Sequence, residues 1–116
     1  MPITLQQRSV DFSKQLIRFL SSVPRTSAFW VITDQLFRSG TSIGANIVEA
    51  QYAATRKQFF QYYRIALRSS RETVYWLTLL VEMRCVSIQD LQQLQSDALV
   101  LSKILAASLL KDKKQE

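Results

Sequence analysis

The stretch Phe29–Ala54, which reads FWVITDQLFRSGTSIGANIVEAQYAA, decides the fold class. When each residue is turned by about 100°, its large apolar side chains fall on one side of a helix. The stripe consists of Phe29, Ile32, Leu36, Ile43, Ile47, Ala50 and Ala54. Such a stripe is typical of a helix that packs one face against a core. The stretch therefore predicts an amphipathic helix.

The rest of the chain divides into three more segments with the same periodicity of apolar residues. The predicted helices cover residues 4–21, 26–54, 56–84 and 88–111. Short linkers between four such helices favour up-down-up-down topology, because each helix turns back to bury its stripe against its predecessor. The 116 residues suit one hydrophobic core. The sequence therefore predicts an all-α, antiparallel four-helix bundle as a single domain, 1–116.

Helix-start signals support these segments. Thr4 precedes the first helix and Thr55 the third, and a glutamine follows each threonine three residues later, as in a capping box. Ser87 begins a similar signal before the fourth helix, and Thr26 or Ser27 is expected to cap the second.

The residue types indicate that the chain has no catalytic machinery. Histidine is absent, which removes the commonest general base and the commonest metal ligand. The single cysteine, Cys85, is interpreted as a small buried hydrophobe. We therefore expect no enzymatic activity, no cofactor and no metal ion. The lone cysteine and the lack of a signal peptide indicate a cytoplasmic protein, and no membrane partner is expected.

Positive charge is concentrated on the third predicted helix. The chain has 15 Lys and Arg against 9 Asp and Glu, a net charge of +6. A basic stripe within a sector of about 60° opposite the core stripe consists of Lys57, Arg64, Arg68 and Arg71, and Arg56 and Arg38 extend the patch. Guanidinium groups suit phosphate, so the stripe predicts contact with a nucleic-acid backbone. The alternative is a solvated face whose arginines pair with Glu72 or with acids of a neighbouring subunit.

A second apolar line lies about 90° from the core stripe of the second helix. It consists of Trp30, Phe37, Gly44 and Val48. The first and fourth helices also carry apolar residues outside their core stripes, more than a small bundle can bury, which favours an interface between copies of the chain. The alternative is a central helix that buries more than half of its circumference within one monomer.

Polar residues on the second helix have a predicted structural role. Ser42, Asn46 and Glu49 are spaced at i, i+4 and i+7 and can bond across to neighbouring helices or subunits. We expect them to hold register rather than to catalyse a reaction.

Residues 33–50, TDQLFRSGTSIGANIVEA, resemble a motif of the four-helix-bundle family of proteins encoded in intervening sequences of bacterial large-subunit ribosomal RNA genes. The matching positions are Gln35, Leu36, Arg38, Ser42, Ile43, Ala45, Asn46, Ile47, Glu49, Lys57, Phe59, Ala66, Ser69 and Glu72. The chain departs from the family pattern at Gly44, where proline is frequent, and at Ala50, where glycine is usual.

The resemblance implies a four-helix bundle. Through the related accessory variability determinant proteins of diversity-generating retroelements, it also implies a basic homopentameric ring that associates with nucleic acid and a reverse transcriptase. The leading hypothesis is therefore a non-enzymatic, oligomeric nucleic-acid-binding protein, with RNA as the favoured ligand. The alternative is a protein-interaction scaffold or accessory subunit, for example of a reverse transcriptase.

Overall fold

The computed structural model of the chain describes residues 3–25, 27–84 and 88–114. They form the helices α1 (Leu5–Ser22), α2 (Ser27–Ala50), α3 (Arg56–Met83) and α4 (Ile88–Lys114). Each helix packs against two others, with α1 and α3 both lying between α2 and α4. The predicted all-α class with four helices is confirmed.

Neighbouring helices run in opposite directions. As residue numbers rise along one helix, the residues that they contact on the next helix have falling numbers. The contacts that show this are Ser9–Gly44 and Leu16–Gly40 between α1 and α2, Ser39–Thr73 and Ser42–Ser69 between α2 and α3, and Arg64–Asp112 and Ser70–Ser102 between α3 and α4. The arrangement is therefore an up-down-up-down bundle.

The core lies along the shared axis of the four helices, where the apolar stripes meet. Its most completely buried large side chains are Leu16, Leu36, Ile43, Ile47, Leu77, Leu80, Leu91, Leu101 and Leu105. Burying a side chain of this size contributes about 1.5 to 3 kcal/mol relative to leaving it in water. The stripes deduced from periodicity therefore supply most of the apolar core.

The turn between α2 and α3 corrects one predicted boundary. Helix α2 ends at Ala50 and not at Ala54, and the amides of residues 51–53 bond instead to carbonyls three residues earlier at 3.0 to 3.2 Å. The Thr55 side chain accepts from the Gln58 amide at 3.1 Å, and the Gln58 side chain accepts from the Ala54 amide at 3.1 Å. Because this cap draws the chain out of α2, Ala54 is exposed and not in the predicted core stripe.

The other helix ends agree in part with the sequence signals. The Thr4 side chain accepts from the Gln7 amide at 3.1 Å, and the Gln7 side chain accepts in return, so the first capping box is confirmed. Helix α4 continues to Lys114, three residues beyond its predicted end. The predicted caps at Thr26 and Ser87, the side chain of Ser27 and the predicted burial of Cys85 lie outside the described residues.

Two glycines allow α1 and α2 to pack closely. A methyl group at Gly40 would overlap Leu16 Cδ2, and one at Gly44 would lie 3.2 Å from Ser9 Oγ. Both glycines are buried. The prediction that Gly44 lines an interface between copies is therefore wrong, because α1 of the same chain already covers this position. A residue 90° from the core stripe reaches a neighbouring helix when glycine permits the close approach.

Candidate nucleic-acid interface

The basic stripe lies on the outer face of α3. Lys57, Arg64, Arg68 and Arg71 are all exposed, and the helix directs Tyr63, Ala66 and Ser70 into the bundle instead. At 1.5 Å per residue the stripe extends about 21 Å along the helix. Across the described part of the chain, Lys57, Arg68 and Arg71 have no ion-pair partner. These three side chains therefore present positive charge directly to solvent.

The nearest acid on α3 does not neutralise the stripe. Glu72 follows Arg68 by four residues, a spacing at which opposite charges usually meet on a helix. Its carboxylate instead accepts a hydrogen bond from Trp76 Nε1 at 3.2 Å, on the next turn. The alternative in which the arginines pair with Glu72 is not seen in the described part of the molecule.

One acid on α4 does reach the start of α3. Arg64 Nη2 lies 3.2 Å from Asp112 Oδ2, and Arg56 Nη2 lies 3.3 Å from Asp112 Oδ1. Only 12% of the Asp112 side chain is exposed, and the Arg56 guanidinium also lies 5.4 Å over the ring of Phe60. Arg56 and Arg64 thus share one carboxylate and are less available to a ligand than the sequence indicates.

Sequence reasoning did not find Asp112, because 48 residues separate it from Arg64. Their meeting depends on the register of two antiparallel helices. The only local signal is that Asp112 is an isolated acid between lysines in the last turns of α4.

Arg38 does not extend the positive surface. Its Nε donates to Asp34 Oδ2 at 3.0 Å, four residues earlier on α2. This pair is neutral overall, and Arg38 lies on a different helix from the basic stripe. Because Asp34 neutralises Arg38, the structure does not support the prediction that Arg38 enlarges the basic patch.

The polar residues of the α2 motif have different positions. Ser69 Oγ donates to Ser42 Oγ at 3.0 Å across the α2–α3 contact, and Asn46 Nδ2 donates to the same oxygen at 3.0 Å from within α2. Ser39 and Thr73 form a second cross-helix bond of 2.9 Å in the buried interior. Ser39, Ser42, Ser69 and Thr73 form a polar seam between α2 and α3, which is the register-holding role expected for Ser42. Both bonds of Asn46 are to Ser42 within α2, and its expected cross-helix bond is not found among the described contacts.

Glu49 is not part of this seam. It is exposed and lines a surface depression beside Tyr52, Gln58 and Tyr62. The expected cross-helix bond of Glu49 is therefore not found among the described contacts of the bundle.

The predicted apolar line is partly exposed. Trp30 and Phe37 are exposed and line one depression together with Ile17 of α1, while Val48 is half-buried. The Arg25 guanidinium lies 5.6 Å over the ring of Trp30. An exposed apolar face therefore exists at the α1–α2 edge, formed by Ile17, Trp30 and Phe37 and without Gly44.

Tyr63, which precedes Arg64 of the basic stripe, is directed into the bundle. Burial raises the pKa of Tyr63 above its usual value of 10.0, because desolvation disfavours the phenolate. Tyr63 therefore stays neutral at physiological pH and acts as a packing residue against Phe59, whose ring centroid is 4.5 Å away.

Among the helices within the described ranges, none combines the length and apolarity that crossing a bilayer requires.

These features define an all-α four-helix bundle with a basic outer face on α3. A family model described as 23S rRNA-intervening sequence protein matches residues 2–107, so the chain belongs to this family. The resemblance found in the α2 motif is confirmed.

A solved structure has the same fold. It is a protein of unknown function from the S23 ribosomal protein family of Bacteroides thetaiotaomicron VPI-5482. The two chains are 31% identical with a TM-score of 0.83, and the alignment covers 90% of this chain and 96% of that one. No curated protein matches the chain significantly.

Proposed function

We propose that this chain is a non-enzymatic, cytoplasmic nucleic-acid-binding protein that contacts backbone phosphates through Lys57, Arg68 and Arg71. The observation that carries the proposal is that these three exposed cations follow one helix face without an acid partner in the described structure. A face that serves only solubility normally mixes both signs of charge. Arg56 and Arg64 contribute at the same end of the helix to the extent that Asp112 releases them.

RNA is the favoured ligand in this proposal. The family description, 23S rRNA-intervening sequence protein, associates the family with ribosomal RNA, and the choice of RNA over DNA rests on that association alone. Phosphate contacts by arginine and lysine carry little sequence information by themselves. Binding is therefore expected to be strong at low salt, to weaken steeply as salt rises and to depend little on base sequence.

The test compares two triple variants that each remove three positive charges. Lys57→Ala, Arg68→Ala and Arg71→Ala together remove the unpaired cations of α3, whereas the control changes exposed cations of α1 and α4. The control consists of Lys14→Ala, Arg18→Ala and Lys103→Ala. Fluorescence anisotropy with a labelled oligoribonucleotide measures Kd over a range of salt concentrations.

The α3 variant is expected to flatten the log–log salt dependence by about 0.7 to 0.9 for each lost phosphate contact, roughly 2 to 3 in all. The control is expected to change it far less, because its lysines and arginine do not lie on the basic stripe. Equal effects of the two variants would show that only net charge matters. Unchanged binding by the α3 variant would refute the proposal.

We also propose that the bundle assembles into a homo-oligomer through the α1–α2 face of Ile17, Trp30 and Phe37. Trp30 and Phe37 support this, because they are exposed and line one depression together. Single exposed apolar residues are normal on a protein surface, whereas contiguous apolar patches mark interaction sites. The number of subunits, five, comes from the resemblance to pentameric relatives. Light scattering measures the mass in solution, and Trp30→Asp is expected to lower it while circular dichroism stays helical.

The same face favours a second candidate function, a protein-interaction scaffold or accessory subunit, for example of a reverse transcriptase. In that case the positive charge complements an acidic partner surface. Pull-down after nuclease treatment separates the two functions. A partner that is retained without nucleic acid, lost with Trp30→Asp and kept with Val31→Asp would favour the scaffold, because Val31 is exposed on the same helix but does not line the depression.

A further inference from the structure

The basic stripe contains an apolar depression that phosphate binding does not require. Its charged lining is Arg64, Arg68 and Arg71, and its apolar lining is Ile65 and Leu67. Ile65 remains 43% exposed in this highly charged surrounding. Single exposed aliphatic residues are common on protein surfaces, but Ile65 shares one depression with three arginines. The depression therefore indicates a ligand with both anionic and apolar parts.

An exposed aromatic ring continues the same face of α3. Tyr75 lies one turn beyond Arg71 and is 56% exposed. Its ring contacts Trp76 edge to face, with centroids 5.0 Å apart, and Trp76 is held by its bond to Glu72. The Glu72–Trp76 hydrogen bond therefore has two effects: it engages the Glu72 carboxylate away from Arg68, and it fixes the Trp76 ring against which Tyr75 packs. Cations and a supported aromatic ring follow one another within about three turns of the helix.

We propose that the basic stripe binds nucleic acid as a single strand, with one unstacked base in the depression and a neighbouring base stacked on Tyr75. This inference rests on the proposed function and specifies its ligand. A duplex keeps the apolar faces of its bases inside the stack and presents its phosphates outward, so it cannot occupy an apolar depression between arginines. A single strand offers base faces and phosphates together, and proteins bind it through basic grooves with aromatic platforms.

The dimensions agree with this ligand. Arg64 and Arg71 are seven residues apart, which corresponds to about 10 Å along the helix axis, and Tyr75 lies about 6 Å further. Arg68 and Arg71 can hold phosphates beside a base in the depression, and Arg64 joins them to the extent that Asp112 releases it. A guanidinium plane can itself stack on that base. Sequence preference is expected to be slight, because every base has an aromatic face.

The test uses a fluorescein-labelled oligoribonucleotide of mixed sequence, as a single strand and annealed to its complement. Tyr75→Leu removes the ring without changing charge, and Tyr75→Phe is the matched control that keeps the ring. Loss of one stacked base is expected to weaken single-strand binding about five- to 150-fold with an unchanged salt slope. Tyr75→Phe is expected to bind as the wild type does, and Tyr75→Leu is expected to leave duplex binding unchanged.

Three outcomes separate this inference from the function on which it rests. The inference is supported if Tyr75→Leu binds the single strand more weakly than the wild type does and binds the duplex equally well. Wild-type binding by Tyr75→Leu, combined with weak binding by the α3 charge variant, overturns the single-strand inference and leaves the proposed function standing. Wild-type binding by both variants overturns both. Circular dichroism of each variant shows that the bundle is folded, since Tyr75 lies outside the core.

Discussion

Replacing Asp112 by Asn is expected to lower the stability of the protein and, at the same time, to strengthen its binding of nucleic acid. The carboxylate pairs with two half-exposed guanidinium groups, those of Arg56 and Arg64, at 3.3 and 3.2 Å. Pairs of this kind contribute about 0.2 to 1 kcal/mol each, and the limited exposure of Asp112 places them in the upper part of that range. The loss in free energy of unfolding is therefore about 1 to 2 kcal/mol.

A loss of this size is expected to lower Tm by about 4 to 8 °C in a domain of this length. Binding is expected to change in the opposite direction, because the substitution releases the guanidinium groups of Arg64, in the basic stripe, and of Arg56, beside it. If both engage phosphates, the log–log salt slope becomes steeper by about 1.4 to 1.8. Thermal unfolding followed by circular dichroism and anisotropy titrations over salt measure the two effects.

Asp97→Asn is the matched control, since it makes the same change on the same helix. Asp97 accepts a bond from Gln93 at 3.0 Å and has no ion pair among the described residues, so neither Tm nor the salt slope is expected to change by a comparable amount. Lower stability of Asp112→Asn with unchanged binding would refute the view that Arg56 and Arg64 are held back from the ligand by this carboxylate.

Three further predictions concern the fold. Gly40→Ala is expected to destabilise the bundle by about 1 kcal/mol, because the overlap with buried Leu16 outweighs the higher helix propensity of alanine; urea unfolding measures it. Thr73→Val is expected to cost about 1 to 2 kcal/mol in the same assay, because Ser39 Oγ loses the buried cross-helix bond that it accepts from Thr73 and keeps only its own 3.4 Å bond to the Leu36 carbonyl. Stability is expected to fall above pH 10, since Tyr63 is protonated more strongly in the folded state than in the unfolded one. Its contribution is complete below the unfolded pKa and disappears as pH rises through the folded one.

Two substitutions serve as controls for the first two of these changes. Gly44→Ala meets its nearest neighbour at 3.2 Å instead of overlapping it, so the gain in helix propensity is expected to leave stability nearly unchanged. Thr41→Val removes a hydroxyl that bonds only within its own helix, to the carbonyl of Phe37 at 2.8 Å. Greater stability of Gly40→Ala than of the wild type, or equal losses for Thr41→Val and Thr73→Val, would contradict this packing of α2 against α1 and α3.

The control for the pH dependence is Tyr63→Phe, which removes the titrating group. An unchanged loss of stability above pH 10 in this variant would assign the effect to other residues.

Local patterns predicted the helices well because they depend on neighbours along the chain. Leu36, Ile43 and Ile47 face the core because a helix of 3.6 residues per turn brings them to one side, whatever packs against them. The sequence pattern predicts the end of α2 four residues too late, because the tight turn after Ala50 has no proline or glycine to mark it. The bond from the Ala54 amide to the Gln58 side chain belongs to the cap of α3.

By itself the sequence determined the class of protein. Periodic apolar residues specify four amphipathic helices, short linkers specify their alternation, and the α2 motif specifies the family. It also placed the basic stripe on one face of α3, because the angle between side chains on a helix follows from their spacing alone.

Only the tertiary structure decided which of those cations are available. Whether Arg64 is free depends on Asp112, 48 residues away, and whether Arg68 is free depends on which of two possible partners Glu72 bonds. The contacts of Gly44 likewise depend on how closely α1 approaches α2. Each depends on the distance and register between elements, which packing sets, and no periodicity within one helix encodes them.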